Sequence, residues 1–232
     1  MMSHTILALD TTTEACSVAC WQCGKVIAED FLHLGRGHAE ALTPMIASTI
    51  AQSGLGYDEF DAIAVTIGPG TFTGLRIGLA AARGLALAMS KPMIGVTTLE
   101  AVAYAARSEQ RSVLAILDAR RSQLYAQGFD PMLMPLSAPS VVSPECIQSI
   151  VPEGLYVAAG TGVALARPYL LRLPDSLGDV TFDAGDGFPR AAVVARIASM
   201  RPPAAATTVH PMYLRPPDAI PSQAADTEAD GA

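Results

Sequence analysis

The sequence predicts an α/β fold in which one unit of strands and helices is used twice. Half of the 232 residues are hydrophobic and only 6% are aromatic, a composition typical of buried strands covered by helices. Short apolar strands alternate with segments of helical periodicity. A strand ending in aspartate occurs at residues 6–10 and again at 114–118, and each copy precedes a four-residue polar turn and a second strand.

The first half of the chain is predicted to form the larger lobe, residues 1–105. Apolar runs and alternation indicate strands at 5–10, 15–22, 25–32, 61–67 and 93–96. Helical periodicity predicts helices at 38–53 and 74–90. Thr97 and Thr98 can cap a third helix that runs to about residue 107.

The second half is predicted to form a smaller lobe, residues 106–203. Strands are expected at 114–118, 123–129 and 156–159, and helices near 144–150, 163–171 and 188–200. A C-terminal segment, residues 204–232, includes an extended piece at 209–214. It is expected to pack against the fold to about residue 217 and then to continue as a disordered acidic tail.

Charge and composition restrict the classes of function. The formal net charge of −7 argues against a chain that binds nucleic acid by itself, because phosphate neutralisation requires a basic surface. Neither a signal peptide nor an apolar run of about 20 residues is present, so the chain is expected to be cytoplasmic, without membrane contact. The four cysteines include a single C-x-x-C, at residues 20–23, and no second Cys or His pair lies at ligand spacing, so a zinc site is not expected.

The most informative motif is the glycine-rich segment 68–78, which reads GPGTFTGLRIG. It predicts a strand, a tight turn, and a helix whose free N–H groups could hold an anion. It lacks the Gly-Lys-Ser/Thr of a P-loop, and its spacing does not match G-x-G-x-x-G. Close packing of the helix on the sheet explains the glycines equally well, so both interpretations stay open.

This segment resembles the signature of the TsaB (YeaZ) family and of its catalytic relatives, the TsaD family. Further similarity lies in the opening hairpin (6–11 and 15–19), the first helix (36–38 and 44–46), the strand 91–96 and the C-terminal 213–215. The resemblance implies an actin-like fold of the sugar kinase/heat-shock ATPase superfamily, with two lobes that each contain a mixed sheet flanked by helices.

The resemblance implies a non-catalytic scaffold subunit, not an enzyme. Such a subunit supports TsaD as TsaD transfers threonylcarbamoyl to the adenosine next to the anticodon of tRNA. The implied partners are TsaD in a heterodimer and TsaE, with tRNA reached indirectly and a homodimer when the chain is isolated. No cofactor is expected for the chain alone. The alternatives are a kinase-like phosphotransferase of the same superfamily and a metalloprotease homologue of the glycoprotease family.

Missing residues distinguish the chain from the catalytic relatives. Where TsaD carries a His-x-x-x-His metal site, this sequence has Thr98 and Val102, which are not metal ligands. No catalytic residue and no metal site are therefore expected. No glycine follows Asp10, and Glu14 adds a negative charge that would repel phosphate. A vestigial nucleotide site could still include Asp10, Thr11, Gly68, Gly70, Gly160 and Gly162.

The second helix is apolar almost all round, which predicts that another chain covers it. Arg76 and Arg83 are seven residues apart, hence on one face. Arg76 lies in the first turn, where an anionic partner or solvent must offset the unfavourable helix dipole. A four-helix bundle with a partner is expected. The predicted partner-binding residues are His38, Leu42, Met45, Leu75, Arg76, Gly78, Ala82 and Arg83.

Overall fold

Two five-stranded sheets organise the chain, as seen in a computed structural model that describes residues 4–174, 178–205 and 208–215. The strands are β1 (Ile6–Asp10), β2 (Ala15–Gln22), β3 (Lys25–His33), β4 (Ala62–Thr66), β5 (Met93–Val96), β6 (Ser112–Arg120), β7 (Gln123–Phe129), β8 (Ser140–Val142), β9 (Leu155–Ala159) and β10 (Asp179–Phe182). The helices are α1 (His38–Ser53), α2 (Phe72–Ala88), α3 (Thr98–Ala105), α4 (Val163–Leu170) and α5 (Ala191–Ala198).

The two sheets share one topology. Their strand orders are β3-β2-β1-β4-β5 and β8-β7-β6-β9-β10. In each sheet the central strand, β1 or β6, pairs antiparallel with the next strand of the chain and parallel with β4 or β9. The repeat predicted from the two aspartate-terminated strands is therefore confirmed. The turns differ, because β6 extends to Arg120 and leaves only two residues before β7, where four were predicted.

Helices form three layers around the sheets. Helices α1 and α2 cover the outer face of the first sheet, and α4 covers the outer face of the second with a 3₁₀ turn at Pro144–Ile150. Helices α3 and α5 lie in the middle layer. Within α3, Tyr104 packs against the first sheet and Leu99 against the second. This shared layer joins the lobes through a continuous apolar interior.

The packing of α5 corrects the predicted lobe division. That division assigned α5 to the second lobe, 106–203, but its buried residues contact Ile6 and Trp21 of the first sheet. Arg196 of α5 also donates from Nε to the Tyr104 hydroxyl at 2.6 Å. The physical reason is that both faces of the first sheet are apolar, so the face opposite α1 and α2 needs a cover that residues 1–105 do not supply.

Several predicted boundaries also change. Helix α2 begins at Phe72 because Thr71 is its N-cap and accepts from the Gly74 N–H at 3.2 Å. Residues 144–150 form a 3₁₀ turn instead of an α-helix, and 209–214 are not a strand. Strands β8 and β10 were not predicted. The predicted disordered tail lies outside the described residues, and no described helix has the length and apolarity to cross a membrane.

We expect the Val194→Ala substitution to lower the free energy of unfolding by about 1–3 kcal/mol, because it leaves a cavity between α5 and the first sheet. Val194 is fully buried in the same cluster as Trp21, the only tryptophan of the sequence. Urea unfolding followed by tryptophan fluorescence measures the change. Val193→Ala, half-buried on the same helix, is the matched control. Equal losses for the two variants would contradict the described docking of α5.

Candidate functional site

The lobes meet at a cleft between the β1–β2 turn and the β6–β7 hairpin. An ion pair crosses this cleft from Arg120 Nη2 to Glu14 Oε1, and both side chains are partly exposed. Asp118 supports the hairpin, because its Oδ1 accepts from the Arg120 N–H at 2.7 Å. Arg120, Arg121 and Ser122 all have positive φ, from 54° to 63°, a conformation that costs non-glycine residues free energy. The hairpin therefore holds its arginines at the cleft in a strained backbone.

The glycine-rich motif packs against the β1–β2 turn. A Cβ atom at Gly74 would lie 2.0 Å from the Thr11 carbonyl oxygen, and one at Gly70 would lie 2.3 Å from that of Thr12. The Thr71 N–H donates to the Thr12 carbonyl at 2.8 Å, and the Thr11 hydroxyl donates to the Gly74 carbonyl at 2.7 Å. Of the two interpretations left open, the geometry shows close packing: the chain itself occupies the space that these glycines provide.

The second lobe repeats this arrangement. A Cβ atom at Gly160, where φ is +114°, would lie 2.1 Å from the Ile116 carbonyl oxygen, and the Gly162 N–H donates to that same oxygen at 3.0 Å. The Thr161 hydroxyl accepts from the Asp118 N–H at 3.2 Å. The predicted nucleotide-binding set is thus divided. Gly70 and Gly160 line cavities, whereas the others are buried in the fold, namely Asp10, Thr11, Gly68 and Gly162.

Asp10 is a fully buried carboxylate beneath the β1–β2 turn. Its Oδ1 accepts from the hydroxyls of Thr66 at 2.6 Å and Thr12 at 2.7 Å, whereas its Oδ2 has no hydrogen-bond partner among the described residues. Burial raises the pKa of Asp10 from 3.8 to about 6, and the threonine hydrogen bonds oppose that increase. The carboxyl group does not reach the cleft, so it is not placed to hold a ligand there.

Two adjoining cavities of the cleft differ in charge. One, of about 200 Å³, has three carboxylates, on Glu14, Asp118 and Asp186, against the single arginine Arg120. The other, of about 210 Å³, has three arginines against one carboxylate and includes aromatic rings. Its charged and aromatic lining residues are Phe72, Asp118, Arg120, Arg121, Tyr125, Tyr213 and Arg215. This basic cavity was not predicted from the sequence, although the adjacent arginines 120 and 121 are a local signal of positive charge.

Thr98 and Val102, the two residues at which the resemblance to TsaD implied lost metal ligands, lie on α3. Thr98 and Val102 are both buried in the middle layer, and the Thr98 hydroxyl has no hydrogen-bond partner among the described residues. A methyl-bearing side chain and one hydroxyl do not fit a metal ion. Within the part of the chain that the structure describes, no three His, Cys, Asp or Glu residues are grouped to bind one.

The predicted partner-binding residues are mostly internal, which corrects their assignment. Six are buried in the chain's own core: His38, Leu42, Met45, Leu75, Gly78 and Ala82. They face the first sheet because that sheet needs an apolar cover. His38 is turned inwards at the start of α1, where its Nε2 contacts the Thr13 carbonyl at 2.9 Å.

The two exposed members of that set contact the C-terminal segment. The guanidinium of Arg76 lies 3.7 Å from the centre of the Phe72 ring, and its Nε donates to the Tyr213 hydroxyl at 3.4 Å. Arg83 donates from Nη2 to the Val209 carbonyl at 2.8 Å. Because α2 begins at Phe72, Arg76 is the fifth residue of the helix and lies just beyond its first turn, and its charge is balanced in part by a ring and a hydroxyl of the chain itself.

The outer faces of α1 and α2 form a neutral surface of small and apolar residues, which we call the α1–α2 face. It is made by Thr43, Pro44, Ala47 and Ala51 of α1 and by Ala80, Gly84, Leu87 and Ala88 of α2, all of them exposed. The Leu87 side chain is 82% exposed, and a Cβ atom at Gly84 would meet nothing within 4 Å. Exposed apolar surfaces are typical of interaction sites when they are contiguous, and the α1–α2 face is therefore the candidate for one.

The repeated sheets and the shared helical layer define a two-lobed actin-like fold. The fold is also that of component A of (R)-2-hydroxyglutaryl-CoA dehydratase from Acidaminococcus fermentans, with a TM-score of 0.52, coverage of 85% of this chain and 98% of that chain, and 10% identity. At this identity the likeness concerns the fold alone. The predicted fold class is confirmed.

Closer relatives give the family. TsaB of Escherichia coli (strain K12), a tRNA threonylcarbamoyladenosine biosynthesis protein, is 38% identical over 165 residues, which cover 68% of this chain and 71% of the relative. The structure of YeaZ from Pseudomonas aeruginosa is 32% identical, has a TM-score of 0.77, and covers 91% of this chain and 100% of its own. The family model "TsaD: tRNA N6-adenosine threonylcarbamoyltransferase" matches residues 33–136. The chain belongs to the TsaB (YeaZ) family, as its motifs predicted.

Asp10 should make stability depend on pH in an unusual direction. Because its pKa is raised on folding, from 3.8 to about 6, the folded state binds the proton more tightly than the unfolded state. We therefore expect the Asp10 contribution to reduce the free energy of unfolding by about 2 kcal/mol as the pH rises from about 4 to 7. Asp10→Asn keeps an acceptor for the threonine hydroxyls and removes this contribution.

Urea unfolding of both proteins at pH 4 and pH 7 tests this expectation. The difference in unfolding free energy between the variant and the wild type should shift in favour of the variant at pH 7. The pH 4 measurement is the internal control, since most of the Asp10 carboxyl groups are protonated in the folded state there. An unchanged difference between the two pH values would show that Asp10 is not strained by burial of its charge.

Proposed function

We propose that this chain is a non-catalytic scaffold subunit in tRNA threonylcarbamoyladenosine biosynthesis, and that it binds a catalytic chain of the TsaD family through the α1–α2 face. TsaE joins the pair, tRNA is reached through the complex, and the isolated chain forms a homodimer through the same face. The observation that carries the proposal concerns two residues of the middle layer. Thr98 and Val102 are buried there, at the positions where the resemblance to TsaD implies metal ligands in the catalytic relatives.

The cleft supports the absence of catalysis by this chain. The β1–β2 turn fills the space that the glycine-rich motif provides, and the cavity next to it has a surplus of carboxylates. Carboxylates repel the phosphates of a nucleotide, and no lysine lines that cavity to offset them. These features disfavour the kinase-like alternative. Thr98 and Val102 of the middle layer do not supply a set of metal-binding atoms, and this disfavours the metalloprotease alternative.

The chemistry of the α1–α2 face supports docking of another helical surface. Gly84, Ala80 and Ala88 permit close approach of a facing helix, and Leu87 supplies a large side chain to bury. The nearby arginines Arg76 and Arg83 are turned towards the C-terminal segment. Both arginines are exposed beside this surface, but they already contact the chain's own C-terminal segment, so a partner that docks on Leu87 and Gly84 would not leave either guanidinium without a contact.

The family model supports the choice of partner. The region that matches TsaD, residues 33–136, contains both α1 and α2, so a TsaD-family chain carries a corresponding pair of helices. Two related pairs can face each other across an approximate two-fold axis and form a four-helix bundle. A second copy of this chain would use the same contact, which explains how a homodimer and a heterodimer compete for one surface.

We expect Leu87→Glu and Gly84→Glu each to weaken binding of the TsaD-family partner by at least about tenfold, because docking would bury an unpaired carboxylate. Neither change should destabilise the monomer. Leu87 is exposed, and replacing an exposed glycine within a helix removes a conformational penalty of roughly 1 kcal/mol. Co-purification and calorimetric titration with the partner measure binding, and circular dichroism monitors the fold.

The matched control is Leu165→Glu, because Leu165 is a half-exposed leucine on α4 of the other lobe. It should bind the partner like the wild type. Sedimentation of the isolated variants should also show monomers for the two α2 substitutions and a dimer for the control. Wild-type affinity in both α2 variants would place the docking surface elsewhere. Ala82→Glu is unsuitable for this purpose, because Ala82 is completely buried.

The purified chain alone is expected to leave tRNA unmodified and to hold no stoichiometric transition metal, because α3 offers a hydroxyl and a methyl group where ligands are needed. Elemental analysis and a modification assay with substrate tRNA, with and without the TsaD-family partner, check this. The complete reaction with partner, as positive control, should yield modified tRNA. One tightly held iron or zinc per chain, or modification by the chain alone, would contradict the proposal.

A further inference from the structure

We infer that the acidic tail of this chain, residues 218–230, docks on three arginines that lie along residues 208–215. These arginines, which we call the arginine row, are Arg76, Arg83 and Arg215. The structure describes the chain to residue 215, and residues 216–232 lie outside the described part. The occupant of the arginine row is thus a segment of the same chain, tethered where the described residues end. The inference does not depend on the proposed docking of a TsaD-family chain.

The arginine row follows the C-terminal segment along its length. Arg83 donates from Nη2 to the Val209 carbonyl at 2.8 Å, near the start of the segment. Arg76 donates from Nε to the Tyr213 hydroxyl at 3.4 Å, and Arg215 follows Tyr213 by two residues. Both α2 arginines are exposed, and their seven-residue spacing corresponds to about 10 Å along the helix axis. The three cations therefore lie beside one short stretch of chain, which ends where the tail begins.

The contacts of the arginine row orient the guanidinium groups without neutralising them. Arg76 contacts a hydroxyl and an aromatic ring, and Arg83 contacts a backbone carbonyl. Arg215 donates from Nη1 to Gln123 Oε1 at 2.6 Å. Among the residues that the structure describes, none of the three pairs with a carboxylate. Each guanidinium has five N–H donors, so the row retains donors for charge-assisted hydrogen bonds to carboxylates.

The sequence of the tail is complementary in charge to the arginine row. Residues 216–232 contain no lysine, arginine or histidine, and their four carboxylates belong to Asp218, Asp226, Glu228 and Asp230. The last three carboxylates alternate with uncharged residues. Because alternate side chains of an extended segment point to the same side, such a segment would present all three to one surface. The tail has no cation of its own to pair with them.

The covalent connection places the carboxylates within reach of the row. Asp218 is three residues beyond Arg215 and can lie at most about 10 Å from it, whereas Asp226 is eleven residues beyond and can reach to about 40 Å. Both reaches cover the distance back along α2 to Arg83. A short tether also gives the tail a high effective concentration at the row, so individually weak ion pairs suffice to hold it.

A docked tail changes the electrostatics beside the α1–α2 face. It would neutralise the cations that border this face, Arg76 and Arg83, while it leaves Leu87 and Gly84 uncovered. Any anionic group that approaches the row would then have to compete with the chain's own carboxylates. The composition of the tail predicts disorder, but its charge pattern favours a contact with this part of the fold.

NMR spectroscopy of the full chain tests the contact from the side of the arginines. A neutral-tail variant replaces the four carboxylates by their amides, as Asp218→Asn, Asp226→Asn, Glu228→Gln and Asp230→Asn. We expect the Nε–Hε signals of the arginine row to shift between the wild type and this variant. The signal of Arg172, an exposed arginine of the second lobe, is the control and should not shift. Raising the NaCl concentration to about 1 M, where the Debye length is about 3 Å, should remove most of the difference.

The reciprocal experiment observes the tail. Arg83→Gln should shift the backbone amide signals of residues 224–230, and Arg172→Gln should leave them unchanged. Identical arginine signals in the wild type and the neutral-tail variant would overturn the inference. A shift at Arg172 as large as those of the row would also overturn it, because it would report only the change in net charge. A perturbation that disappears on dilution would show docking on a second copy instead of contact within one chain, and would likewise contradict the inference.

Discussion

The contact between the β1–β2 turn and the glycine face of α2 determines most of what this protein can do. Gly70, Gly74 and Gly78 let the helix approach until Thr11 and Thr12 touch its backbone. The approach fills the place where a related ATPase fold could admit phosphate. It also presses the inner face of α2 onto the first sheet, where Leu75 and Ala82 are buried, and leaves Leu87 and Gly84 outside. The same close approach therefore closes the space beside the glycine-rich motif and leaves the outer side of α2 exposed.

The formal net charge does not predict the charge of the cavities in this protein, because acidic and basic side chains are segregated over short distances within the cleft. The formal value of −7 correctly argues against a broad basic surface. Within the cleft, however, a cavity dominated by Glu14, Asp118 and Asp186 lies beside one dominated by arginines. Over separations shorter than the Debye length of about 8 Å, such charges are not averaged by salt. The net charge of the chain therefore bears on the long-range approach of a charged partner. It does not determine which ligand a particular cavity binds.

Much of the fold followed from local patterns in the sequence. Helix α1 and strands β2, β5 and β7 have the predicted bounds, because alternation, periodicity and flanking glycines are local signals. The placement of α5 on the first sheet did not follow, since a short apolar helix carries no information about which sheet it will cover. Nor could the inner and outer faces of α2 be separated, because periodicity fails when nearly every position is apolar.

The candidate site was predictable only where residue chemistry alone decides. Val102 has no donor atom and Thr98 offers a single hydroxyl, which is a poor ligand, so the argument against a metal site there needs only the sequence. The roles of the glycines could not be decided from the sequence. A bound phosphate and a carbonyl oxygen of the chain itself both need a position without a Cβ atom. The basic cavity combines Phe72, residues 120–121 and residues 213–215, which come together only through tertiary folding.

The C-terminal segment, residues 208–215, has a mechanical consequence. It is fastened to the first lobe by the Met212 N–H, which donates to the Ile67 carbonyl at 2.6 Å, and by Arg83, and to the second lobe by Arg215. The Glu14–Arg120 ion pair is a further cross-link between the lobes. Hinged opening, by which two-lobed enzymes admit and release substrates, would have to break both restraints together. These contacts therefore brace the two lobes against each other, and the structure favours a fixed orientation of the lobes over hinged opening.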